Sequence, residues 1–284
     1  MVLTRRKGGL CRLKRKAFIR FTAALVFLLT VLAFLIVLAS ATAKWPQQGK
    51  DVVKDSKLKV DRSNIQEGYF FACTANKTNK KLKLRVIKGD TTLTYDLNGQ
   101  GNYEVFPLQL GDGNYKVSLY ENISGKSYSA AGNVYLQVKL KDPVSPFLYP
   151  NQFVNYDESS DVIEKADSLC AGKTQSQIFD IVCNFMKTNF GYDFVKAATI
   201  KANQLPDIET CYRKRMGICQ DLSATMVAML RSQGVPAKLM IGYADKNYHA
   251  WVIAIVDGEE VFYDPTAQLG ASKKSKTYTV ERFY

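Results

Sequence analysis

Three short stretches carry side chains able to do covalent chemistry together: Gly217-Ile-Cys219-Gln-Asp221, His249-Ala-Trp251 and Tyr263-Asp264-Pro-Thr266. A thiolate attacks carbonyl carbon, an imidazole takes up and returns a proton, and a carboxylate fixes which imidazole nitrogen carries it. The types and order point to acyl transfer through a thioester. Cys219 would be the nucleophile, His249 the base and later the acid, and Asp264 the orienter. Each residue alone is ordinary, because a cysteine at a helix start is commonly structural and Asp-Pro at a strand end is commonly a turn. The conjunction carries the reading. Trp251 and Tyr263 read as core aromatics rather than substrate contacts.

These residues need elements to hold them. Apolar Leu222, Met226, Met229 and Leu230, with Gly234 beyond, predict a helix from about Ile218 to Gln233. Cys219 then falls in its first turn, where unpaired N–H groups and the helix dipole favour a thiolate and can receive an oxyanion. Three strand-like runs follow, at 237–243, 249–256 and 260–263. Asp257-Gly258 makes the last two a hairpin. His249 would begin one strand and Asp264 end the next, so the two can meet. Upstream, Thr174-Gln-Ser-Gln177 forms a capping box for a helix with Ile178, Ile181, Val182, Phe185 and Met186 on one face, and Gly191 is expected to stop it. A helix followed by an antiparallel meander is an α+β arrangement.

The region before it has a different period. From 58 to 142, short alternating runs separated by Gly, Asp and Asn turns predict a small all-β, sandwich-like domain. Lys141-Asp-Pro-Val-Ser-Pro146 reads as a linker, which places the catalytic region at 143–284. Further upstream, residues 44–57 read as a polar stalk and 21–43 as a charge-free apolar run. As a helix at ~1.5 Å per residue that run would span about 34 Å, enough for a hydrocarbon core of ~30 Å. Residues 1–20 contain eight cations and no acid, and they account for most of the net charge of +13. Basicity so concentrated belongs to a cytoplasmic flank rather than to a nucleic-acid surface. The expectation is a single-pass, membrane-anchored chain with its C-terminal regions outside the cytoplasm. The alternative is a secreted one, cut among the small residues 39–43.

With one histidine and no CxxC pair, the sequence offers no metal site and no cofactor motif. Cys73, Cys170, Cys183 and Cys211 would lie in the exported part, and their spacing leaves open whether they pair or remain buried thiols.

The segment GICQDLSATMVAMLRSQGVPAKLMIGYA, followed by YHAWV and FYDPT, resembles the transglutaminase-like superfamily, specifically its bacterial exported members. The likeness is strongest over Gly217–Thr266 and weaker through Phe190-Gly-Tyr-Asp193. It implies a papain-like core with a Cys-His-Asp triad at Cys219, His249 and Asp264. It also implies thioester chemistry on a glutamine side chain or peptide carbonyl, resolved by an amine or by water. Gln220 stands where exported relatives often carry an apolar residue, and the second oxyanion donor has no matching position; Gln204, upstream of the cysteine, is one candidate. The implied partner is a polypeptide or cell-wall peptide substrate. A different class of function also fits the architecture: a non-catalytic surface module with a vestigial triad.

Overall fold

In the computed structural model, which describes residues 45–201, 203–270 and 276–284, the alternating runs fold as two four-stranded antiparallel sheets. The strands are β1 (Val52–Asp55), β2 (Leu58–Asp61), β3 (Tyr69–Thr74), β4 (Leu82–Lys88), β5 (Thr91–Leu97), β6 (Glu104–Pro107), β7 (Gly113–Ser124) and β8 (Ser127–Val138). One sheet runs β1-β2-β3-β6 and the other β5-β4-β7-β8. Period-two burial aims the apolar face of each inward. On β5, for example, Leu93, Tyr95 and Leu97 are buried while Thr92, Thr94 and Asp96 are exposed. Phe70 stacks on Phe106 at 5.5 Å, and Tyr95 of the opposite sheet meets Phe106 edge-on at 5.3 Å, so the sheets close on one core.

The stalk reading is corrected here. Val52–Asp55, inside 44–57, pairs with β2 as a strand, and the residues before it are docked as well. Buried Asp61 accepts from Gly49 N at 2.8 Å, Ser63 Oγ accepts from the backbone of Lys50 and Asp51, and the Trp45 ring meets Tyr156 edge-on at 5.4 Å. Polar composition hid this, because the segment is held by backbone pairing rather than by an apolar stripe. The basic segment 1–20 and the apolar run 21–43 lie outside the described residues. Among the described residues, no helix is long and apolar enough to cross a membrane.

The expected linker is a 3-10 turn, Ser145–Leu148, with Pro146 and Phe147 buried. The elements after it are α1 (Asp161–Cys170), α2 (Gln175–Asn189), β9 (Gly191–Tyr192), α3 (Phe194–Thr199), α4 (Ile208–Lys214), β10 (Met216–Gly217), α5 (Cys219–Ser232), β11 (Ala237–Ala244), β12 (Asn247–Val256), β13 (Glu259–Tyr263), α6 (Pro265–Leu269) and β14 (Tyr278–Phe283). The capping box of α2 forms, but Gly191 is no helix stop: Phe190 caps the helix in an extended conformation, and Gly191 enters a short parallel pairing with β10. The main sheet is antiparallel, in the order β13-β12-β11-β14.

α5 was expected to bury one face. Instead every residue from Asp221 to Ser232 is buried, with β11 and β12 on one side and α1, α2 and α4 on the other. Its polar groups must therefore find partners inside the protein. Arg231 finds three carbonyls: its Nε donates to Ala237 at 2.8 Å, Nη1 to Tyr149 at 2.6 Å and Nη2 to Tyr284 at 2.9 Å. Burial pulls the guanidinium down to about 10, which leaves it charged at neutral pH. Tyr284 in turn stacks on Phe153 at 3.6 Å, and Tyr95 of the sandwich reaches both rings at 6.1 and 6.2 Å. The core thus runs without a break from the sandwich into the α+β region, past the prolines where the periodicity changes.

The five described cysteines are free thiols, so Cys73, Cys170, Cys183 and Cys211 form no bridges. Burial raises Cys73 and pushes Cys170 up to about 11 and Cys183 and Cys211 to about 12, which keeps these sulfurs protonated and inert.

Because three carbonyls from separate segments converge on one guanidinium, Arg231→Met should destabilise the protein by about 3 kcal/mol or more. Urea unfolding of the two proteins measures this, and a change below about 1 kcal/mol would show that the carbonyls find other donors.

Candidate active site

Cys219 is the first residue of α5, and the local sequence explains why the helix starts there. Gly217, the last residue of β10, has no room for a side chain: a Cβ would come within 2.7 Å of Cys211 Sγ and 2.8 Å of Asp221 Cβ. Asp221, two residues into the helix beyond Cys219, turns its carboxylate back to the helix start. Its Oδ2 accepts from Ile218 N at 3.1 Å and its Oδ1 from Asp207 N at 3.1 Å. Lys196 of α3 closes the charge with an ion pair to Oδ2 at 2.7 Å. Asp221 is fully buried, so this one carboxylate joins α3, the entry to α4 and the first turn of α5. With Ile218 N occupied, the N–H groups of the next residues in this first turn have no intrahelical acceptor.

His249 lies on β12 rather than at its first residue, paired across to Gly242 of β11. One turn along α5, buried Ser223 Oγ donates to the carbonyl of Ala250 at 3.1 Å, which locks the cysteine helix to the histidine strand. Asp264 follows β13 and caps α6: its Oδ1 accepts from Ala267 N at 3.1 Å. Its Oδ2 takes His249 Nε2 at 2.8 Å and the Tyr278 hydroxyl at 2.7 Å. The hairpin thus brings the two residues together, though Asp264 acts as a helix cap rather than as a strand end.

Asp264 occupies Nε2 of the ring, which leaves Nδ1 for the Cys219 thiol, and that thiol acts on the imidazole through hydrogen bonding and charge. Burial alone would lower the imidazole. The hydrogen bonds to Asp264 and Cys219, and the charge of both partners, outweigh it and hold the ring at about 9. Burial likewise works against the Asp264 carboxylate, but the His249 and Tyr278 hydrogen bonds keep it below the usual range. Trp251 is buried beside the ring, nearly parallel at 21° with centroids 6.4 Å apart.

Sulfur and imidazole open into a cleft of about 890 Å³ that runs along the seam with the sandwich. Tyr192, Gln204, Gln220 and Arg282 line the α+β side, and Thr92, Thr94 and Asp96 of β5 line the other. Gln220 and Gln204 are joined to each other, Gln220 Nε2 donating to the Gln204 carbonyl at 2.9 Å.

Residue-by-residue reading gave no role to Asp221, Lys196, Ser223 or Tyr278. An acid at the third helical position was a legible signal for Asp221. Tyr278 was not legible, because β14 is an edge strand with mostly exposed residues and no alternation. Gly242 permits its approach: a Cβ there would stand 2.0 Å from the Thr279 carbonyl, at the point where the pairing with β14 shifts register.

Against known proteins, the family profile described as the transglutaminase-like superfamily matches residues 164–265. No curated protein matches the chain. Among solved structures, the chain is similar to a proposed cysteine protease from Cytophaga hutchinsonii, with a TM-score of 0.38 and 16% identity over 76% of this chain and 78% of that one. It is also similar to a proposed protease from Parabacteroides distasonis, at 0.33 and 15% over 67% and 38%, and to red sea bream transglutaminase, at 0.30 and 12% over 73% and 49%. The chain therefore spans less than half the length of these last two. Residues 164–265, which contain Cys219, His249 and Asp264, thus carry the match to the transglutaminase-like superfamily.

Proposed function

We propose that the protein is a thiol acyltransferase or amidohydrolase that acts on peptide or glutamine-side-chain amides. The observation that supports this most is the His249 ring, bonded to the Asp264 carboxylate and lining one open cleft together with Cys219. In this reading Cys219 Sγ attacks the amide carbon, and the oxyanion forms against the free N–H groups at the start of α5. The C–N bond then breaks, and the departing amine takes its proton from His249. Water or a second amine attacks the thioester while His249 accepts its proton, releasing an acid or a new amide and freeing the thiol. Asp264 keeps the ring oriented, with Tyr278 holding Asp264. No cofactor or metal takes part in these steps.

We also propose that the apolar run 21–43 anchors the chain in a membrane with the enzyme on the outer side, which would make cell-surface polypeptides its substrates. The eight cations before that run motivate the orientation. Protease added to intact spheroplasts should digest the region beyond residue 44; digestion only after lysis reverses the orientation.

Mass spectrometry of glutamine-containing peptides incubated with the protein, with and without a primary amine, identifies the reaction and its outcome. Cys219→Ala should abolish turnover and His249→Ala nearly so. Asp264→Asn should leave a folded protein with activity reduced by several orders of magnitude, about 10⁴ in a comparable serine triad. Undiminished turnover by folded Cys219→Ala protein would sink the mechanism.

His249 is the chain's one histidine, so its proton can be followed directly by NMR. The ring should titrate near 9 in the native protein, and lower in Asp264→Asn. A folded-state value above the ordinary 6.5 also fixes the sign of the linkage: the pair contributes its full stability below pH 6.5, and the contribution is lost as pH rises through about 9. An imidazole titrating at or below 6.5 would remove the proton inventory on which this mechanism relies.

A further inference from the structure

β5 is an edge strand whose other side faces the cleft of Cys219. In antiparallel pairing, residues that share their N–H and C=O with the neighbour alternate with residues whose backbone groups point away from it. Asp96 is of the second kind. Its N–H donates to Gln152 Oε1 at 2.9 Å and its carbonyl accepts from Gln152 Nε2 at 3.3 Å. The Gln152 carboxamide thus makes the two-way exchange that the next strand's peptide group would make. By the same alternation, Thr94 and Thr92, two and four residues before Asp96 and paired with Arg85 and Ile87 of β4, turn their N–H and C=O to the same side. Both line the cleft together with Cys219, and the side chains of both are exposed.

Taking the Cys219 reading above as given, we propose that Thr94 and Thr92 form a strand-addition site. An extended stretch of substrate polypeptide pairs with the open edge of β5, with Gln152 closing one end, and so lays its amide against the thiol. A free N–H and C=O repeated every second residue is matched by another extended backbone and by little else. Charge in the cleft favours such a chain when it carries acidic side chains: Lys83, Lys201 and Arg282 line it, against the single lining acid Asp96, which is paired with Lys83, and Glu281, which meets Arg282 at 3.4 Å from outside the lining. The sandwich is then a part of the substrate site rather than a spacer. The selected substrate class is an extended, acidic polypeptide segment without proline or N-methylation at the pairing positions.

The probe is a tetrapeptidyl acyloxymethyl ketone carrying one glutamate, compared with iodoacetamide, which is too small to reach β5. The readout is the ratio of their second-order rates for alkylating Cys219, followed by intact-protein mass spectrometry. Native protein should favour the peptide probe, and Thr94→Pro, which deletes one outward N–H at an edge position where proline is tolerated, should cut the ratio about tenfold. Methylating the matching backbone nitrogens of the probe should do the same with the native protein, which keeps the test sound if the proline variant does not fold. A ratio unaffected by either change overturns the strand-addition site while leaving the thiol chemistry standing. A native ratio no greater than that of free cysteine overturns the site as well. Iodoacetamide reacting with Cys219 no faster than with free cysteine instead counts against the thiol reading itself.

Discussion

Burying a helix on every side obliges the protein to satisfy each polar group that the helix carries, and α5 carries several. At one end Asp221 collects two backbone N–H groups and the Lys196 ammonium; at the other Arg231 collects three carbonyls. A buried charge left without partners would cost several kcal/mol. The segments that supply those partners are therefore held where the helix needs them. Around α5 this positions α3, the entry to α4, the end of β14 and the Tyr149 carbonyl that follows the sandwich. The thiol at its first residue inherits that rigidity.

The same logic separates Cys219 from the other cysteines. Cys170, Cys183 and Cys211 sit where burial holds a proton on sulfur, and the hydrogen bonds of Tyr263 to Cys183 and of Thr225 to Cys211 do not overcome it. Cys219 is half-exposed, stands at a helix N-terminus and faces an imidazole that Asp264 and the thiol together keep charged. In the proposed mechanism the distinction among the thiols is one of position rather than of residue type. The Tyr278 hydroxyl extends the chain one step further, since Asp264 accepts from both the ring and the phenol and both bonds lower its carboxyl.

The aromatic seam of Tyr95, Phe153 and Tyr284 packs the β5 wall of the cleft against the α+β region. Stacked rings contribute through buried area and through geometry, so the two layers are held at a defined angle rather than tethered. The cleft lies at that seam, lined by residues of β5 on one side and of the α+β region on the other.

Much of the local structure was legible in the sequence because it depends on local rules. The capping box at Thr174, the buried apolar positions of α2, the hairpin at Asp257-Gly258 and the strands bearing His249 and leading to Asp264 follow from propensity, turn chemistry and periodicity within a few residues. The motifs around Cys219, His249 and Asp264, and the likeness to the transglutaminase-like superfamily over residues 164–265, were legible for the same reason. What the tertiary structure alone decided depends on groups far apart in the chain. The docking of residues 45–55 rests on backbone pairing, which has no composition signature. The burial of the whole of α5, the role of Asp221, the approach of Tyr278 on an exposed edge strand and the single core shared with the sandwich each join segments separated by tens of residues. Such contacts arise from the closing of a packed interior, and no run of neighbouring residues encodes them.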